Sequence, residues 1–511
     1  MTDRWWRRAP FWLAIGIAGL ALIDMQFGVA GRALTVVAVV IGVVGVLTAG
    51  LADAMLVGLA VSLFPVDAGL LAVMLALLYR MARSASLQLD GSLRSLLLVG
   101  FFVSAAGSAL FGLLAIEARP LQWFVWMATL GCPVLLLGTA RPRLPDQFAP
   151  RLSRFLVFVL WLQVPVCMAQ LVRHGALEPG DWFSGTWGNS NLAGLWGAVT
   201  LSVLALRALA MPKASKGVSS WIVGGGHAVA ATFLVWGASA KIYSAAVFGA
   251  AGVAIVMLII AGGAISRVGT GLRAGVAILL VLLAGILTES WVRDNFAGFV
   301  SNWEDSEKRT LLSRITFDAA DRYNSILGVG PGMLGSRAAS AASADVLFKE
   351  EGGALEGLLG PAPKPERWAM QGLWDAELVQ AIADRSALVS MPFSGWGALR
   401  GELGWPAVFV LVFYLLSLAW QMSAIATRHA AACNIAIAAA IGSAGLLVIL
   451  FFDNVLEHPH IMLPLAILVI TARGVADGCP EGRTALAGGR TAAEDLAAHS
   501  GPGSTVSLGR Q

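Results

Sequence analysis

The sequence predicts an all-α protein, a polytopic bundle of about 12 to 14 transmembrane helices with one large outer loop. Of its 511 residues, 57% are hydrophobic and only 13% are charged, whereas a soluble globular protein carries roughly 25% charge. The mean hydropathy is +0.76. The apolar residues fall in blocks of about 15 to 25, each long enough at 1.5 Å per residue to cross a hydrocarbon core about 30 Å thick.

The apolar blocks define about fourteen candidate helices. They cover residues 11–29, 34–47, 51–64, 68–81, 93–116, 121–137, 152–172, 191–210, 221–236, 242–264, 272–287, 402–425, 430–452 and 456–471. Short blocks flank Pro65, so this region is either a re-entrant hairpin or one kinked helix, and the distribution of basic residues distinguishes two crossings from one. The basic start of the chain runs into a full apolar span without a cleavage site, which predicts a retained first helix.

Basic residues between the blocks orient the bundle. With two crossings at Pro65, the basic loops fall on one side, and the positive-inside rule makes that side cytoplasmic. These loops carry Arg80, Arg83, Arg94, Arg141, Arg143, Arg151, Arg154, Arg207, Lys213, Lys216, Arg267, Arg273 and Arg428. Both termini are then predicted to be cytoplasmic, and the hydrophilic stretch of about 110 residues from Glu289 to Gly401 is predicted to lie on the outer face.

Four regions follow from these assignments. Residues 1–288 form an N-terminal bundle of about eleven helices, 289–401 form the large outer loop, 402–472 form the C-terminal transmembrane helices, and 473–511 form a disordered tail. Within the loop, residues 308–324 show helical spacing of apolar residues, whereas 335–366 are rich in small residues, glycine and proline. The loop is predicted to be partly helical.

The composition also excludes several functions. The four cysteines are scattered, mostly inside apolar blocks, so neither a disulfide framework nor a zinc site is expected. No histidine has a second histidine at i+3 or i+4. The net charge of +4 reflects loop residues that set orientation and does not indicate nucleic-acid binding.

Two polar clusters mark the outer ends of predicted helices. In "TWGNSNLAGLWGAV", Asn189 or Ser190 is predicted to cap the first turn of a helix, which explains one polar residue but not Thr186 and Asn191 beside it. In "WGASAKIYSAAV", Lys241 either snorkels to the interface or belongs to a polar cluster that faces a cavity inside the bundle.

The outer loop holds the remaining candidates. Gly328, Gly330 and Gly332 lie in "LGVGPGMLG". They form either an ordinary turn or a nest whose N–H groups face a substrate anion. The spacing matches neither a P-loop nor G-x-G-x-x-G.

Asp375 and Glu377 either face one cation or lie on a solvated surface. Glu402 begins a span, where a helix N-terminus favours an anion. His458 and His460 are predicted near the outer surface.

Taken in order, these motifs resemble the bacterial O-antigen ligase and polymerase superfamily. The resemblance covers roughly residues 185–420. It rests on a "G-T-x-G-N-x-N" helix start, an "S-R-G"-like site near Lys241, a long external loop with "R…L-G-V-G-P-G", and "E-L-G" opening the next span.

This resemblance implies glycan transfer from undecaprenyl diphosphate to a sugar hydroxyl on the periplasmic face of the inner membrane, with no cofactor and no metal. Partners would be the lipid-linked glycan, the bilayer, a chain-length regulator and a flippase. A departing diphosphate accumulates negative charge, which positioned cations stabilise. Arg309 matches the arginine that heads the family's loop helix, with Arg314 as the alternative, and Lys241 stands near the "S-R-G" arginine.

One departure from the family pattern bears on the reaction. Phe393, followed by Ser394, stands where ligases have a histidine, and phenylalanine cannot take a proton from an acceptor. A polymerase of O-antigen or exopolysaccharide repeat units is therefore favoured over a ligase. Glu402, His458 and His460 are the candidates, in that order, for the acceptor-activating base, with Asn189 and Asn191 as neutral donors to the lipid diphosphate. A secondary transporter and a non-catalytic family member are the remaining alternatives.

Overall fold

A computed structural model describes most of the predicted bundle, and its described residues contain helices and no strand. The regular pairing between extended segments there is a single bridge, Leu87 to Ala140. The described residues are 16, 32–64, 67–89, 91–145, 147–175, 183–187, 189–210, 218–238, 241–261, 318–324, 326–342, 363–369, 395–451 and 454–478. The predicted spans 11–29 and 272–287 lie essentially outside these ranges, as do residues 479–511 of the tail predicted at 473–511. Residues 473–478, predicted to be disordered, are helical, because the last helix continues to Gly478. The all-α prediction is confirmed.

The helices are numbered here in chain order. They are α1 (Arg32–Thr48), α2 (Leu51–Val61), α3 (Asp67–Arg83), α4 (Leu93–Ala115), α5 (Pro120–Thr139), α6 (Phe148–His174), α7 (Ser190–Ala210), α8 (Val218–Gly237), α9 (Lys241–Ala261), α10 (Ala319–Tyr323), α11 (Arg337–Ala342), α12 (Gly395–Arg428), α13 (Cys433–Ile449) and α14 (Pro459–Gly478). In α5 a π-helical turn, Met127–Gly131, joins two α-helical halves.

Seven of the described helices are long and apolar enough to cross a membrane, namely α4, α5, α6, α9, α12, α13 and α14. Their burial differs along the bundle. In α14, 89% of the most apolar stretch is buried inside the protein, against 28% in α4. An apolar side chain on the outside of such a helix has no cost in hydrocarbon, and Leu114, Phe409 and Phe413 are exposed in this way. The protein is therefore a membrane-embedded bundle with α14 in its interior.

The region around Pro65 forms a helical hairpin. Helices α2 and α3 flank it, and the guanidinium of Arg80 near the end of α3 donates a hydrogen bond of 2.6 Å to the carbonyl of Ala49 before α2. The two helices therefore run in opposite directions, as the interpretation with two crossings requires. Pro65 itself lies outside the described residues.

The bundle has two chemically different ends. Arg473 interacts electrostatically with Arg94 and with Arg141 at one end, which we call the arginine end. The other end carries the residues that follow α4, precede α5 and connect α13 to α14. Residues 326–342 lie there too, and we call it the loop end. Of the loops predicted to share one side, the described residues before α4 and after α5 meet, because the N–H of Arg141 donates to the carbonyl of Ser86 at 2.7 Å.

Helix α12 differs most from its prediction. The apolar pattern places its start at Glu402, but helical residues begin at Gly395. The helix is broken at Gly404, whose φ of 76° and ψ of 179° are non-helical. Residues 395–403 form a separate buried helical segment at the loop end, and the membrane-spanning part follows Pro406. The boundary at residue 401 therefore divides a structural element, because the pattern treated polar residues of this segment as loop.

Candidate functional site

The segment from Ile326 to Arg337, which we call the glycine segment, fills the break in α12. The N–H of Val329 donates to the carbonyl of Gly401 and that of Gly330 to the carbonyl of Glu402, both at 2.9 Å. The hydroxyl of Ser108 in α4 also donates to the Glu402 carbonyl. A helix supplies that carbonyl with a donor four residues later, but Pro406 has no N–H. The glycine segment thus satisfies backbone groups that the kink would otherwise leave buried and unpaired.

Glycine is required on both sides of this contact. Gly404 adopts a backbone conformation open essentially to glycine alone, and a Cβ on it would lie 1.6 Å from the carbonyl oxygen of Ile326. Gly328 has φ of 75°, and a Cβ there would lie 2.5 Å from the carbonyl carbon of Glu402. The two backbones approach as closely as they do because neither residue has a side chain.

The second half of the glycine segment is held by buried carboxylates. Glu402 is 1% exposed and accepts hydrogen bonds from the N–H of Leu334 at 3.1 Å and the hydroxyl of Ser336 at 2.6 Å. Glu366, also 1% exposed, accepts from the N–H of Gly335 at 2.7 Å. Glu366 precedes the start of α12 in the sequence, and Glu402 follows it.

A third buried carboxylate completes what we call the glutamate clamp, formed by Glu366, Glu402 and Glu457. Glu457 is 1% exposed and accepts from the N–H of Arg337. The nest prediction anticipated N–H groups that face an anion. In the structure the anions are carboxylates of the protein itself. The N–H groups that donate to them therefore hold the glycine segment in place.

The glycines predicted to bind substrate have N–H groups with partners within the protein, and their contact with a substrate stays a prediction. Gly330 donates to the carbonyl of Glu402, and the N–H of Gly332 donates to the Glu402 carboxylate. Gly332 has φ of 75°, and a Cβ there would lie 2.9 Å from the carbonyl oxygen of Gln122 in α5. Gly332 is thus packed against backbone, and like Gly328 it allows the close approach that shapes the glycine segment.

Burial perturbs the two members of the clamp that lie outside the spanning helices. Desolvation raises the pKa of Glu366 to about 7. The nearby Glu457 also raises this pKa, whereas the hydrogen bond from the N–H of Gly335 lowers it. Desolvation also raises the pKa of Glu457 to about 7, although the N–H and the charge of Arg337 lower it. Both carboxyls therefore exchange protons near neutral pH.

Arg337 carries the positive charge at the end of the glycine segment. One guanidinium nitrogen lies 2.8 Å from Nδ1 and 3.3 Å from Nε2 of His458. Both side chains are partly buried. The dipeptide Glu457 and His458 thus contacts Arg337 twice, at its backbone N–H and at its side chain.

Two more arginines lie around this loop end. Arg400, whose side chain is 4% exposed, forms an ion pair of 3.1 Å with Asp321 of α10, and its guanidinium lies 5.3 Å from the ring centre of Trp405. Arg322 lies 5.1 Å from the ring centre of Trp368. These contacts tie α10 to the broken helix and to residues 363–369.

The polar stretch around Thr186 is fastened to α6. The side-chain amide of Gln163 donates to the hydroxyl of Thr186 at 2.9 Å, and its oxygen accepts from the N–H of Thr186 at 2.8 Å. Seven residues later on the same helix face, the Gln170 oxygen accepts from the N–H groups of Ser184 and Gly185 at 3.2 and 3.1 Å. Thr186 is therefore a structural residue, fully buried.

The start of α7 confirms the capping prediction. The side-chain oxygen of Asn189 accepts a hydrogen bond of 2.8 Å from the N–H of Asn191, which satisfies one of the first free donors of the helix. Asn189 is exposed and Asn191 half-buried. The roles of these residues as donors to a lipid diphosphate stay predictions.

Replacing Gln163 by leucine is expected to lower the thermal stability of the protein in detergent. The change removes both partners of Thr186 and leaves its N–H and hydroxyl buried, which costs about 1–3 kcal/mol for each unsatisfied group. A thermal unfolding scan measures the loss. Exposed Gln88 provides the control, since Gln88→Leu removes only a 3.5 Å surface contact, and equal melting temperatures for the two variants would contradict the role of Gln163.

The other predicted site residues are distributed as follows. The ring of His460, 6% exposed, lies 2.9 Å from the carbonyl of Ser62, which joins α14 to the end of α2. Lys241 begins α9 at the loop end, and its side chain lies outside the described atoms. Arg309, Arg314, Phe393 and Ser394 lie outside the described residues, as do Asp375 and Glu377.

Several residues of the site are missing from the sequence-based predictions. Gln163 and Gln170 gave a signal, because two amides seven residues apart in an apolar span share one face and need partners in lipid. Glu366, Glu457 and Arg337 gave none, since their partners are about 30 to 120 residues away in the chain. Comparison of the chain with family models, with curated proteins and with solved structures finds no match.

Proposed function

We propose that this protein is a bacterial inner-membrane glycosyltransferase that polymerises undecaprenyl-diphosphate-linked oligosaccharide repeat units, of O-antigen or exopolysaccharide, at the periplasmic face. The observation that supports it best is the glycine segment, which is seated in the break of α12 and carries Arg337 at one end of a membrane bundle. The diphosphate of a lipid-linked glycan lies at the membrane surface, and cations positioned before the reaction stabilise the charge that develops on it.

The reaction joins two lipid-linked glycans. A hydroxyl of the acceptor sugar attacks the anomeric carbon of the donor, a new glycosidic bond forms, and the bond from that carbon to the phosphate oxygen breaks. The electron pair leaves with undecaprenyl diphosphate, and the hydroxyl proton passes to a base. Cations next to the diphosphate stabilise the charge that builds up as the bond breaks. Arg309 or Arg314, with Lys241, take this role in the proposal.

The three base candidates differ in their surroundings. The carboxylate of Glu402 is buried and holds the glycine segment, and His460 is committed to the carbonyl of Ser62. These contacts favour positioning roles for both. His458 is the candidate of the three that is only partly buried, and it lies beside a cation.

The proposal favours polymerisation over ligation because Phe393 stands at the position of the ligase histidine. A side chain without a lone pair cannot accept the acceptor's proton. Ligation to lipid A-core is the second candidate, and the same experiment separates the two.

The test is the lipid-linked and surface glycan profile of a deletion strain complemented with wild type, Arg309→Ala or Phe393→His. Polymerisation predicts single-repeat material in the deletion strain and with Arg309→Ala, a loss of long chains of at least tenfold, and restoration by wild type. Arg143→Ala, at the arginine end, is the control and is expected to restore long chains.

Two results would contradict the proposal. Long chains that accumulate on the lipid carrier in the deletion strain would identify a ligase, and Phe393→His would then be expected to increase transfer. An unchanged profile in the deletion strain would favour a transporter or a non-catalytic membrane protein.

A further inference from the structure

Three buried side chains near the glutamate clamp each keep one polar atom without a hydrogen-bond partner among the described residues. The atoms are Oε1 of Gln122 and Nε1 of Trp126, both in α5, and Oε1 of Glu457. Each of these residues is at most 2% exposed, so bulk water does not reach the atoms. A buried polar atom that lacks a partner is costly, and native proteins usually supply one from the protein or from an ordered water.

The packing of the chain brings the three side chains to one junction. Gln122 and Trp126 are four residues apart in the first half of α5 and therefore share a face of it. This half packs against α11, whose first N–H, from Arg337, is held by Glu457. The π-helical turn that follows Trp126 packs against the short helix Val455–Glu457. Turns of this kind are frequent at functional sites.

The chemistry of the three atoms selects the molecule that fits between them. The indole N–H of Trp126 only donates, whereas the amide oxygen of Gln122 and the carboxyl oxygen of Glu457 accept. A cation has no lone pair for the indole N–H, and an anion has no proton for the two oxygens. A water molecule has both, because its two O–H groups donate to the oxygens and one lone pair accepts from the indole. About three hydrogen bonds are typical of a buried water.

We propose that Gln122, Trp126 and Glu457 bind one buried water molecule, which joins α5 to the glutamate clamp. The site does not depend on the reaction proposed above. The other oxygen of Glu457 accepts from the N–H of Arg337, and the side chain of Asn454 also interacts with the carboxyl. The water completes the hydrogen bonding of this carboxyl and links it to a helix that the glycine segment itself does not reach through Glu457.

The water also gives Glu457 a partner for proton exchange. Burial raises the pKa of this carboxyl to about 7, and the charged groups that act on the clamp are Arg337, Glu366 and Glu402. Both protonation states are therefore populated near neutral pH. The water donates to Oε1 of the carboxylate, and it accepts from Oε1 of the protonated carboxyl through its second lone pair. One bound molecule thus serves both states.

X-ray radiolytic labelling of the full-length protein in lipid nanodiscs tests for the water, because radiolysis of a bound water produces hydroxyl radicals beside the side chains that hold it. Trp126 is expected to be labelled faster than Trp396, a buried tryptophan whose N–H donates to the carbonyl of Leu447 at 3.0 Å. Gln122→Met keeps the length of the side chain and removes the acceptor, so it is expected to slow the labelling of Trp126 about threefold or more. Labelling of Trp126 no faster than that of Trp396 would overturn the site.

The melting temperature distinguishes a bound water from a dry cluster. With the water, Gln122→Met is expected to lower the melting temperature by several degrees, since Trp126 and Glu457 lose their partner as well. In a dry cluster the same change removes an unsatisfied acceptor, so a raised or unchanged melting temperature would contradict the proposal. Gln88→Met is the control, because Gln88 is exposed and makes only a 3.5 Å contact.

The part of Glu457 in the site has a separate readout. Loss of the water removes a hydrogen bond to the carboxylate and so raises the pKa of Glu457 further. In Gln122→Met the pH midpoint of exchange protection at the amide of Arg337, which Glu457 holds, is therefore expected to move to higher pH. The same midpoint in wild type and Gln122→Met would show that Glu457 does not share the water.

Discussion

Gly404→Ala is expected to release the glycine segment from the bundle and to lower stability by about 2–4 kcal/mol. Two effects add. A Cβ is strained at φ of 76° and ψ of 179°, and it would lie 1.6 Å from the carbonyl oxygen of Ile326. Because that atom is backbone, no side-chain rotation relieves the clash. Either the helix break or the segment must move.

Hydrogen exchange locates the change. In Gly404→Ala the amides of Val329 and Gly330 are expected to lose protection, since their acceptors at Gly401 and Glu402 shift, whereas amides in α13 keep theirs. Gly249→Ala in α9 is the matched control, because a Cβ there meets nothing within 4 Å. Unchanged protection of the glycine segment in Gly404→Ala would show that the break in α12 does not hold it.

The sequence predicted those parts of the fold that depend on composition alone. Hydropathy located α4 to α9 and α13 to within a few residues, because transfer into hydrocarbon acts on each block independently. It placed the end of α14 at residue 471, whereas the helix continues to Gly478. It failed at residues 395–401, which are buried and helical although they include Arg400. That burial depends on Asp321 and Trp405, and no local pattern shows an ion pair that spans 79 residues.

The sequence indicated only part of the candidate site. The three glycines predicted a nest, but the N–H groups of Gly328 and Gly330 donate to backbone carbonyls, and among the three only that of Gly332 donates to a carboxylate. A sequence shows backbone donors but not their acceptors, and the carboxylates that accept from Leu334, Gly335 and Arg337 come from three other segments. Glu402 was recognised as an acid near a helix start, yet its partner Ser336 lies 66 residues earlier. The sequence thus indicated that backbone N–H groups of this segment donate hydrogen bonds, but it did not indicate which groups accept them.

Raising the pH from about 4.5 to about 7 is expected to weaken the hold of the glutamate clamp on the glycine segment. The pKa of Glu366 and that of Glu457 are each raised from 4.5 to about 7 in the folded protein, so the folded state binds more protons than the unfolded state between these values. The free energy of unfolding therefore falls as pH rises. A shift of that size is worth about 3 kcal/mol for a buried group.

The groups that face these carboxyls set the size of the effect. Arg337 lowers the pKa of Glu457, and Glu457 raises that of Glu366, so the two acids repel one another once both are ionised. Exchange protection at Gly335 and Arg337, corrected for intrinsic rates, is expected to fall about ten- to a hundredfold between pH 5 and pH 8. Constant protection over that range would mean that the clamp does not change protonation.

Glu366→Gln separates ionisation from packing, because glutamine keeps an oxygen that accepts from the N–H of Gly335 and cannot ionise. The variant is expected to protect the segment better than wild type at pH 8, to match it at pH 5, and to flatten the pH dependence. Glu117→Gln is the control, since Glu117 is exposed and pairs with Lys364 at 2.9 Å on the same short helical stretch. If Glu366→Gln instead loosens the segment at pH 8, the ionised carboxylate stabilises the contact, and burial is the weaker effect.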